Sequence, residues 1–432
     1  MRIHLIGIGG IGISALAKFL YFENHTISGS DRVSNTITKD LEKIGITIYT
    51  PHSRDAIDDS IDIVIYSAII QSNNIEIVEA KRRGIPTLSR SEAIKWILRD
   101  RKVFSVCGAH GKSTTSSILA TILQKSYIIG AYNKIDKSNT KYIDSDEVVF
   151  EADESDGSFL NSNPTYSIVP NAEPEHMEFY NYDLEKFYSA YYNFLKQGKR
   201  RVINSEDPFL SQLDLEAIRL YPSKDIRDIQ FTIIEREPYT RFTLKDYGTF
   251  QVWGIGEHIA IDASLAILTA IDYGMEIEEI RNNLLKYRGI EKRFDILQKK
   301  RDFILIDDYG HHPTEIGATL KSLFQYSKMV GIDEVVAIWQ PHKYSRTIDN
   351  LEGFKSCFKG VTKLVILPVW SAGEEKREID FQSEFRDYSP IFANRVFVED
   401  GKVKIPNGMK ILKGIIIGFG AGDITYQLRG KV

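Results

Sequence analysis

Val106-Cys107-Gly108-Ala109-His110-Gly111-Lys112-Ser113-Thr114-Thr115 follows an apolar run, Val103-Phe104-Ser105-Val106, and precedes a pattern in which Ile118, Leu119, Ile122 and Leu123 share one helical face. A strand therefore feeds a glycine turn that opens a helix. Such a junction offers free backbone N–H groups and the positive end of a helix dipole to an anion, and Lys112 adds a full charge beside them. The Ser113 hydroxyl, directly after the lysine, stands where nucleotide-binding loops carry a magnesium ligand. The usual phosphate loop has another glycine where this chain has Val106, so the stretch is a compressed Gly-x-x-Gly-Lys-Ser. A plain helix N-terminus, with glycines serving only the turn, is the alternative reading.

Upstream, the short strand Arg2-Ile3-His4-Leu5-Ile6 leads into Gly7-Ile8-Gly9-Gly10-Ile11-Gly12 and a helix from about Ser14 to Phe22. A second strand ends at Gly29-Ser30-Asp31, and Asp31 lies 19 residues beyond Gly12. That spacing matches the dinucleotide fingerprint, in which backbone N–H groups hold a pyrophosphate and an acidic residue follows. The fingerprint specifies a Rossmann-like layout; it reads phosphate, so the ligand could be NAD or any other pyrophosphate. Alternating helices and strands continue to Leu98, with strand Asp62–Tyr66 ending in Ser67, and the charged run Arg99-Asp100-Arg101-Lys102 marks a first boundary.

Downstream, a polar stretch from Asn133 to Asp146 leads to strand Glu147–Phe150, whose end carries Glu151, Asp153, Glu154 and Asp156. Four carboxylates packed this closely repel one another unless a cation sits among them. Their place at a strand end after a phosphate loop favours a divalent metal over a merely solvated acidic loop. His176, after the strand Thr165–Val169, reads equally as a surface residue or a ligand. Short alternating segments from Asp228 to Trp253 suggest a few antiparallel strands, and Gly256-Glu257-His258 caps a helix to about Tyr273. Dense charge after Tyr287 places a second boundary near residue 294. An α/β rhythm then restarts: strands Phe303–Ile306, Glu334–Trp339, Lys363–Val369 and Gly414–Ile417, with helices Thr314–Phe324 and Leu351–Phe358. Polar groups gather after these strands, as ligand sites do outside the carboxyl ends of open parallel sheets.

Composition bounds the class. A chain of 432 residues exceeds one ordinary core and is expected to form about three domains. Hydrophobic residues at 43% and charged residues at 26% are the balance of a soluble globular protein. A net charge of -4 gives no basic field for nucleic acid or an anionic membrane; neither is expected as a partner, and anionic ligands must be held locally. No apolar run approaches a membrane span and no cleavable leader is expected. Two cysteines, Cys107 and Cys357, are too few for a disulfide framework. The expected location is the cytoplasm, as a monomer or homodimer.

Taken together, Gly7–Gly12, Gly108–Thr115, Glu151–Asp156, Glu175-His176-Met177, Asp307-Asp308-Tyr309-Gly310-His311-His312-Pro313-Thr314-Glu315 and Gln340-Pro341-His342-Lys343-Tyr344-Ser345-Arg346-Thr347 resemble, in order and over essentially the whole chain, the Mur ligase family. The resemblance implies an α/β protein of three domains: a Rossmann-like domain for a UDP-sugar at 1–98, a central P-loop-type ATPase with a mixed sheet at 99–293, and a C-terminal Rossmann-like ligase domain at 294–432. It also implies the cofactors ATP and Mg2+ and the substrates UDP-N-acetylmuramate and L-alanine. By that mechanism ATP phosphorylates the lactyl carboxylate of the sugar, and the alanine amine attacks the acyl phosphate. Carried onto this sequence, ATP is held by Gly108, Ala109, His110, Gly111, Lys112, Ser113, Thr114, His258 and Asp308, and the metal by Ser113, Glu154 and His176. Catalysis rests on Lys112, Glu154, His176 and Arg293. Gly9, Gly10, Asp31, Ser67, Asn171, His311, His342 and Arg346 contact the substrates, and domain closure is expected to bring the contributors together.

The family has threonine at Ala109 and Ser113, and other residues at Glu257, Ile259 and Asp262; where Asp262 replaces an asparagine it is expected to accept hydrogen bonds without donating as an amide does. Three alternatives stand beside this reading. They are a recycling ligase that attaches a tripeptide to the same sugar, an NAD-dependent oxidoreductase resting on the first glycine motif and Asp31, and a noncatalytic nucleotide switch. Folylpolyglutamate synthases share the central fold but lack the UDP domain.

Overall fold

Strands buried on both faces of a parallel sheet read as continuous apolar runs, and the chain supplies them in three places. The first sheet uses Arg2–Ile6 (β1), Thr26–Ser30 (β2), Thr47–Tyr49 (β3), Ile63–Tyr66 (β4) and Thr87–Ser89 (β5), in the order β3-β2-β1-β4-β5, every pair parallel. Its helices are Ile11–Phe22 (α1), Thr36–Lys43 (α2), Ile75–Arg82 (α3) and Arg90–Leu98 (α4). This is the Rossmann-like arrangement expected from the first glycine motif. The computed structural model describes residues 1–399, 401–405, 410–411 and 414–431.

The second sheet is built from Lys102–Val106 (β6), Ser126–Asn133 (β7), Ser138–Lys141 (β8), Glu147–Glu151 (β9), Tyr166–Val169 (β10), Arg200–Asn204 (β11) and Ile218–Leu220 (β12). Its order is β12-β11-β10-β6-β9-β7-β8, parallel except where β8 runs antiparallel to β7. The sheet is therefore mixed. β8 lies in the stretch read from sequence only as polar. Its buried residues are polar and bonded: Asn139 Nδ2 donates to the Ile11 carbonyl, and Thr140 Oγ1 donates to the Tyr127 carbonyl, so no hydrophobic alternation announces it. Two helices flank the phosphate-loop strand β6. Lys112–Leu123 (α5) is buried from Thr115 to Leu123 and packs against helix Glu257–Tyr273, whose Ala260, Ala263, Ala266 and Ala270 permit close approach. Leu184–Gln197 (α6) buries Phe187, Tyr191 and Phe194, an i, i+4, i+7 face, behind the Asp183 cap; each such ring contributes about 1.5–3 kcal/mol.

A sheet ordered Ile226–Ile234 (β13), Glu237–Leu244 (β14), Thr249–Trp253 (β15) follows. The last main sheet contains Asp295–Lys300 (β16), Phe303–Asp308 (β17), Val335–Trp339 (β18), Lys363–Ile366 (β19) and Ile391–Phe392 (β20). After a small antiparallel sheet of Phe397–Glu399 (β21), Lys402–Lys404 (β22) and Lys410–Ile411 (β23), it is completed by Gly414–Phe419 (β24). The order is β16-β17-β24-β18-β19-β20, parallel apart from the antiparallel edge pair β16–β17. Helix Pro313–Val330 runs a turn and a half beyond the expected end at Phe324, until Gly331 at φ 71° stops it.

The chain forms two compact units, Met1–Ile229 with Arg241–Val252 and Glu257–Arg288, and Gln230–Thr240 with Trp253–Gly256 and Gly289–Val432. The expected boundary near residue 99 falls between the first two sheets, inside the first unit. There Lys18 Nζ donates to Asn139 at 2.9 Å, and Arg101 pairs with Glu23, tying the sheets together. The boundary near residue 294 lies close to the passage from Arg288 to Gly289.

Candidate functional site

At the end of β6 the chain turns through Gly108 and Gly111, with φ of 155° and 79°. Gly111 cannot be replaced freely, because a Cβ there would stand 2.6 Å from Asp262 Oδ1. The turn is clamped from β10: Asn171 Oδ1 accepts from His110 N at 3.0 Å and Asn171 Nδ2 donates to His110 O at 2.9 Å. The Asn171 amide, expected near the sugar, is thus committed to holding the phosphate loop. Ala109 is buried, its carbonyl accepting from Lys112 at 3.2 Å, and Thr114 lies in the first turn of α5.

Lys112 Nζ donates to Gly108 O at 2.6 Å and to Glu154 Oε1 at 2.9 Å. Burial works against its charge, but the facing Glu154 more than offsets this and its pKa is raised. Glu154 is pushed up to about 7, first by burial, with Lys112 pulling it back and Asp153 adding repulsion. Its Oε2 is buried without a hydrogen-bond partner. Glu151, also raised by burial, accepts from Ser113 Oγ at 2.8 Å and Gly130 N at 2.7 Å. A serine hydroxyl that donates to a carboxylate keeps its lone pairs for another partner.

One donor atom each from Glu154, Glu175 and His176 lies within 4.8 Å of the others. Of the metal set expected from sequence, Glu154 and His176 come together, and Glu175, not singled out there, joins them. Glu175 also lies 3.4 Å from His110 Nε2. Neighbouring carboxylates, an orphaned carboxylate oxygen and one ammonium make a pocket of excess negative charge, which a divalent cation would neutralise.

Asp262 lies on helix Glu257–Tyr273, one turn after the exposed His258, so both occupy one face. Burial pushes its carboxyl up to about 8. At neutral pH it keeps its proton and can donate, contrary to the acceptor-only role expected from its formula.

In the first sheet, Gly9 N donates to Asp31 Oδ2 at 2.8 Å, and Asn35 Nδ2 reaches Gly9 O at 3.2 Å. Asp31 Oδ1 takes the Arg32 N–H. The carboxylate that the oxidoreductase reading needs on a ribose thus helps to hold the loop itself. Gly10 precedes α1 without a side-chain cap, and Ser67 stands beside Gly7, whose Cβ would meet its Cβ at 3.0 Å.

The second unit carries its own cluster. Asp308, raised to about 6 by burial, accepts from Phe294 N and Gly310 N, both at 2.8 Å; this fastens the turn that holds Arg293. Arg293 pairs with Glu315 at 3.3 Å and covers the Tyr309 ring. His311, lowered by burial, lies 3.4 Å from Glu315 and 5.8 Å, ring to ring, from His342. His342 is lowered to about 4 by burial and by the neighbouring His311 and Arg346. It is neutral at pH 7, and its Nδ1 accepts from Arg346 Nη1 at 3.1 Å. The sequence motifs contain Tyr309 and Glu315, but only the structure shows them as partners of the expected residues.

Comparison with known proteins bears on the family. Residues 2–102 match the model described as Mur ligase family, catalytic domain, and residues 292–400 the Mur ligase, glutamate ligase domain. The chain is 54% identical over 437 residues to UDP-N-acetylmuramate–L-alanine ligase of Campylobacter curvus, covering 99% of each. It is 53% identical over 443 residues to the Helicobacter pylori protein of the same description, covering 100% of this chain and 97% of that one. Among solved structures, UDP-N-acetylmuramate-alanine ligase MurC of Thermotoga maritima superposes with a TM-score of 0.82 at 26% identity, covering 100% of this chain and 98% of that one.

Proposed function

Because the chain belongs to the Mur ligase family, we propose that it is the ATP-dependent ligase that joins L-alanine to the lactyl carboxylate of UDP-N-acetylmuramate in peptidoglycan synthesis. Full-length identity of 54% and 53% to ligases of that description supports the acceptor and the reaction class. The observation that carries the chemistry is the constellation at the phosphate loop: Lys112 against Glu154, the unpartnered Glu154 Oε2, and Glu175 and His176 beside it.

These residues fit a nucleotide with a divalent ion. Lys112 and the N–H groups of Gly108–Thr114 would hold the β- and γ-phosphates, while Ser113, Glu154, His176 and Glu175 would hold Mg2+. The ion supplies charge neutralisation on the phosphates. The carboxylate oxygen of the sugar attacks the γ-phosphorus, the bond to the bridging oxygen breaks, and ADP leaves; the amine of alanine then attacks the acyl carbon and phosphate leaves. Asn171 keeps His110 and the loop in register. Asp262, as a neutral acid, supports Gly111 without adding charge beside the phosphates. In the second unit, Arg346 offers a guanidinium suited to an α-carboxylate, kept in orientation by neutral His342, and Arg293 is braced by Glu315. Three functional modules, at 1–98, 99–293 and 294–432, divide this work, and the supply of ATP and UDP-sugar argues for the cytoplasm. No helix among the described residues is long and apolar enough to cross a membrane.

The test is equilibrium binding of a non-hydrolysable ATP analogue across a magnesium titration. Glu154→Gln and His176→Ala are each expected to raise the magnesium needed for half-saturation about tenfold or more. An unchanged requirement in both would remove these residues from the metal site.

A further inference from the structure

Arg90, the first residue of α4, touches two places of different function. On one side its Nη1 donates to Asp156 Oδ2 and Ser158 Oγ, both at 3.2 Å. Asp156 lies two residues after Glu154, in the turn that carries it. The same turn is pinned to α4 a second time, by Asn161 Nδ2 donating to Ser91 Oγ at 2.6 Å. On the other side, Nε and Nη2 lie 3.1 Å and 3.2 Å from where a Cβ on Gly12 would stand. The missing side chain of Gly12 is what admits the guanidinium to the first turn of α1.

On the side of the helix end that placement is electrostatically unfavourable. The N-terminus of α1 carries partial positive charge, has no side-chain cap and no acidic residue in its first turn, and a full positive charge rests against it. Asp156 pairs with the Nη1 side and Asp153 lies close enough to attract the guanidinium as well, but Nε and Nη2 have no hydrogen-bond partner among the described residues. The side chain is only 16% exposed, so water screens it poorly. An anion lying across the helix end and the free edge of the guanidinium would satisfy both.

We propose that Arg90 is a positioning residue that couples the two nucleotide sites. Its Nε and Nη2 edge takes the diphosphate of the UDP-sugar at α1, and its Nη1 holds the Asp156–Ser158 turn, so that sugar binding fixes the segment presenting Glu154 to the metal. The inference rests on the ligase reading above. By linkage, whatever factor the UDP-sugar adds to nucleotide affinity, the nucleotide adds to UDP-sugar affinity.

The experiment measures the dissociation constant of a magnesium-bound, non-hydrolysable ATP analogue with and without saturating UDP-N-acetylmuramate, and that of the UDP-sugar alone. Wild type is expected to bind the analogue about fivefold or more tightly when the sugar is present. Asp156→Asn, which leaves the phosphate-facing edge of Arg90 intact, should keep UDP-sugar affinity within about threefold and bring the coupling factor close to one, since a charge-assisted bond is lost on that side only. Arg90→Gln should weaken UDP-sugar binding about tenfold or more and also abolish coupling, with Arg90→Lys recovering part of the binding. A wild-type coupling factor of one, full coupling in Asp156→Asn, or unchanged UDP-sugar affinity in Arg90→Gln would each overturn the proposal. Wild type that binds no UDP-N-acetylmuramate at all would instead overturn the ligase reading beneath it.

Discussion

Lys112 lies among Glu151, Asp153 and Glu154, and its ammonium is anchored by two loop carbonyls as well as by Glu154. Lys112→Ala is expected to lower kcat/KM for ATP about 10²- to 10³-fold with the fold intact by circular dichroism; an effect below tenfold would mean the lysine does not contact the transferred phosphate. Asp262 gives a pH prediction of definite sign. Its folded pKa of about 8 lies above the ordinary 3.8, so the unfolded chain binds fewer protons between those values and stability falls as pH rises through that window. Asp262→Asn removes the ionisable group and should stabilise the protein by about 4 kcal/mol at pH 7, with the difference shrinking to less than about 1 kcal/mol near pH 4; equal gains at both pH values would contradict a neutral buried acid. At this scale the motif residues Lys112 and Glu154, read from sequence, are brought into contact by the fold. The sequence held Glu175 only as part of a motif with no role attached, and it was silent on Arg90; the importance of both lies in neighbours brought together by folding. It did not show the burial of Asp262, because a residue's formula does not state its surroundings.

The elements divide in the same way. α1 and α5 were readable because a glycine turn followed by helical periodicity is a local pattern. α6 was overlooked, although Phe187, Tyr191 and Phe194 repeat at helical spacing behind the Asp183 cap. β8 gave no pattern at all, since its buried Asn139 and Thr140 are stabilised by hydrogen bonds and not by apolar contact. The phosphate loop itself depends on a conformation that side chains resist. Gly111→Ala forces φ 79° on a residue with a Cβ and drives that Cβ into Asp262. The backbone strain alone costs about 1–2 kcal/mol. The variant should unfold at lower denaturant and bind nucleotide more weakly than wild type. Equal midpoints would show that the loop relaxes without loss.

For the whole molecule, the α/β class, the Rossmann-like first sheet and the mainly parallel last sheet follow from the order of motifs and apolar runs, whereas the antiparallel β8 and β16 edges do not. The joining of the first two sheets into one unit rests on contacts such as Lys18 with Asn139 that no local pattern records. The central claim concerns the reaction, and the most direct measurement is phosphate release from ATP with magnesium and UDP-N-acetylmuramate, adding L-alanine, glycine, L-serine or the tripeptide in turn. Release that requires both the UDP-sugar and an amino acid, and is fastest with L-alanine, is the expected result. Preference for the tripeptide, or no release with any acceptor, would contradict it.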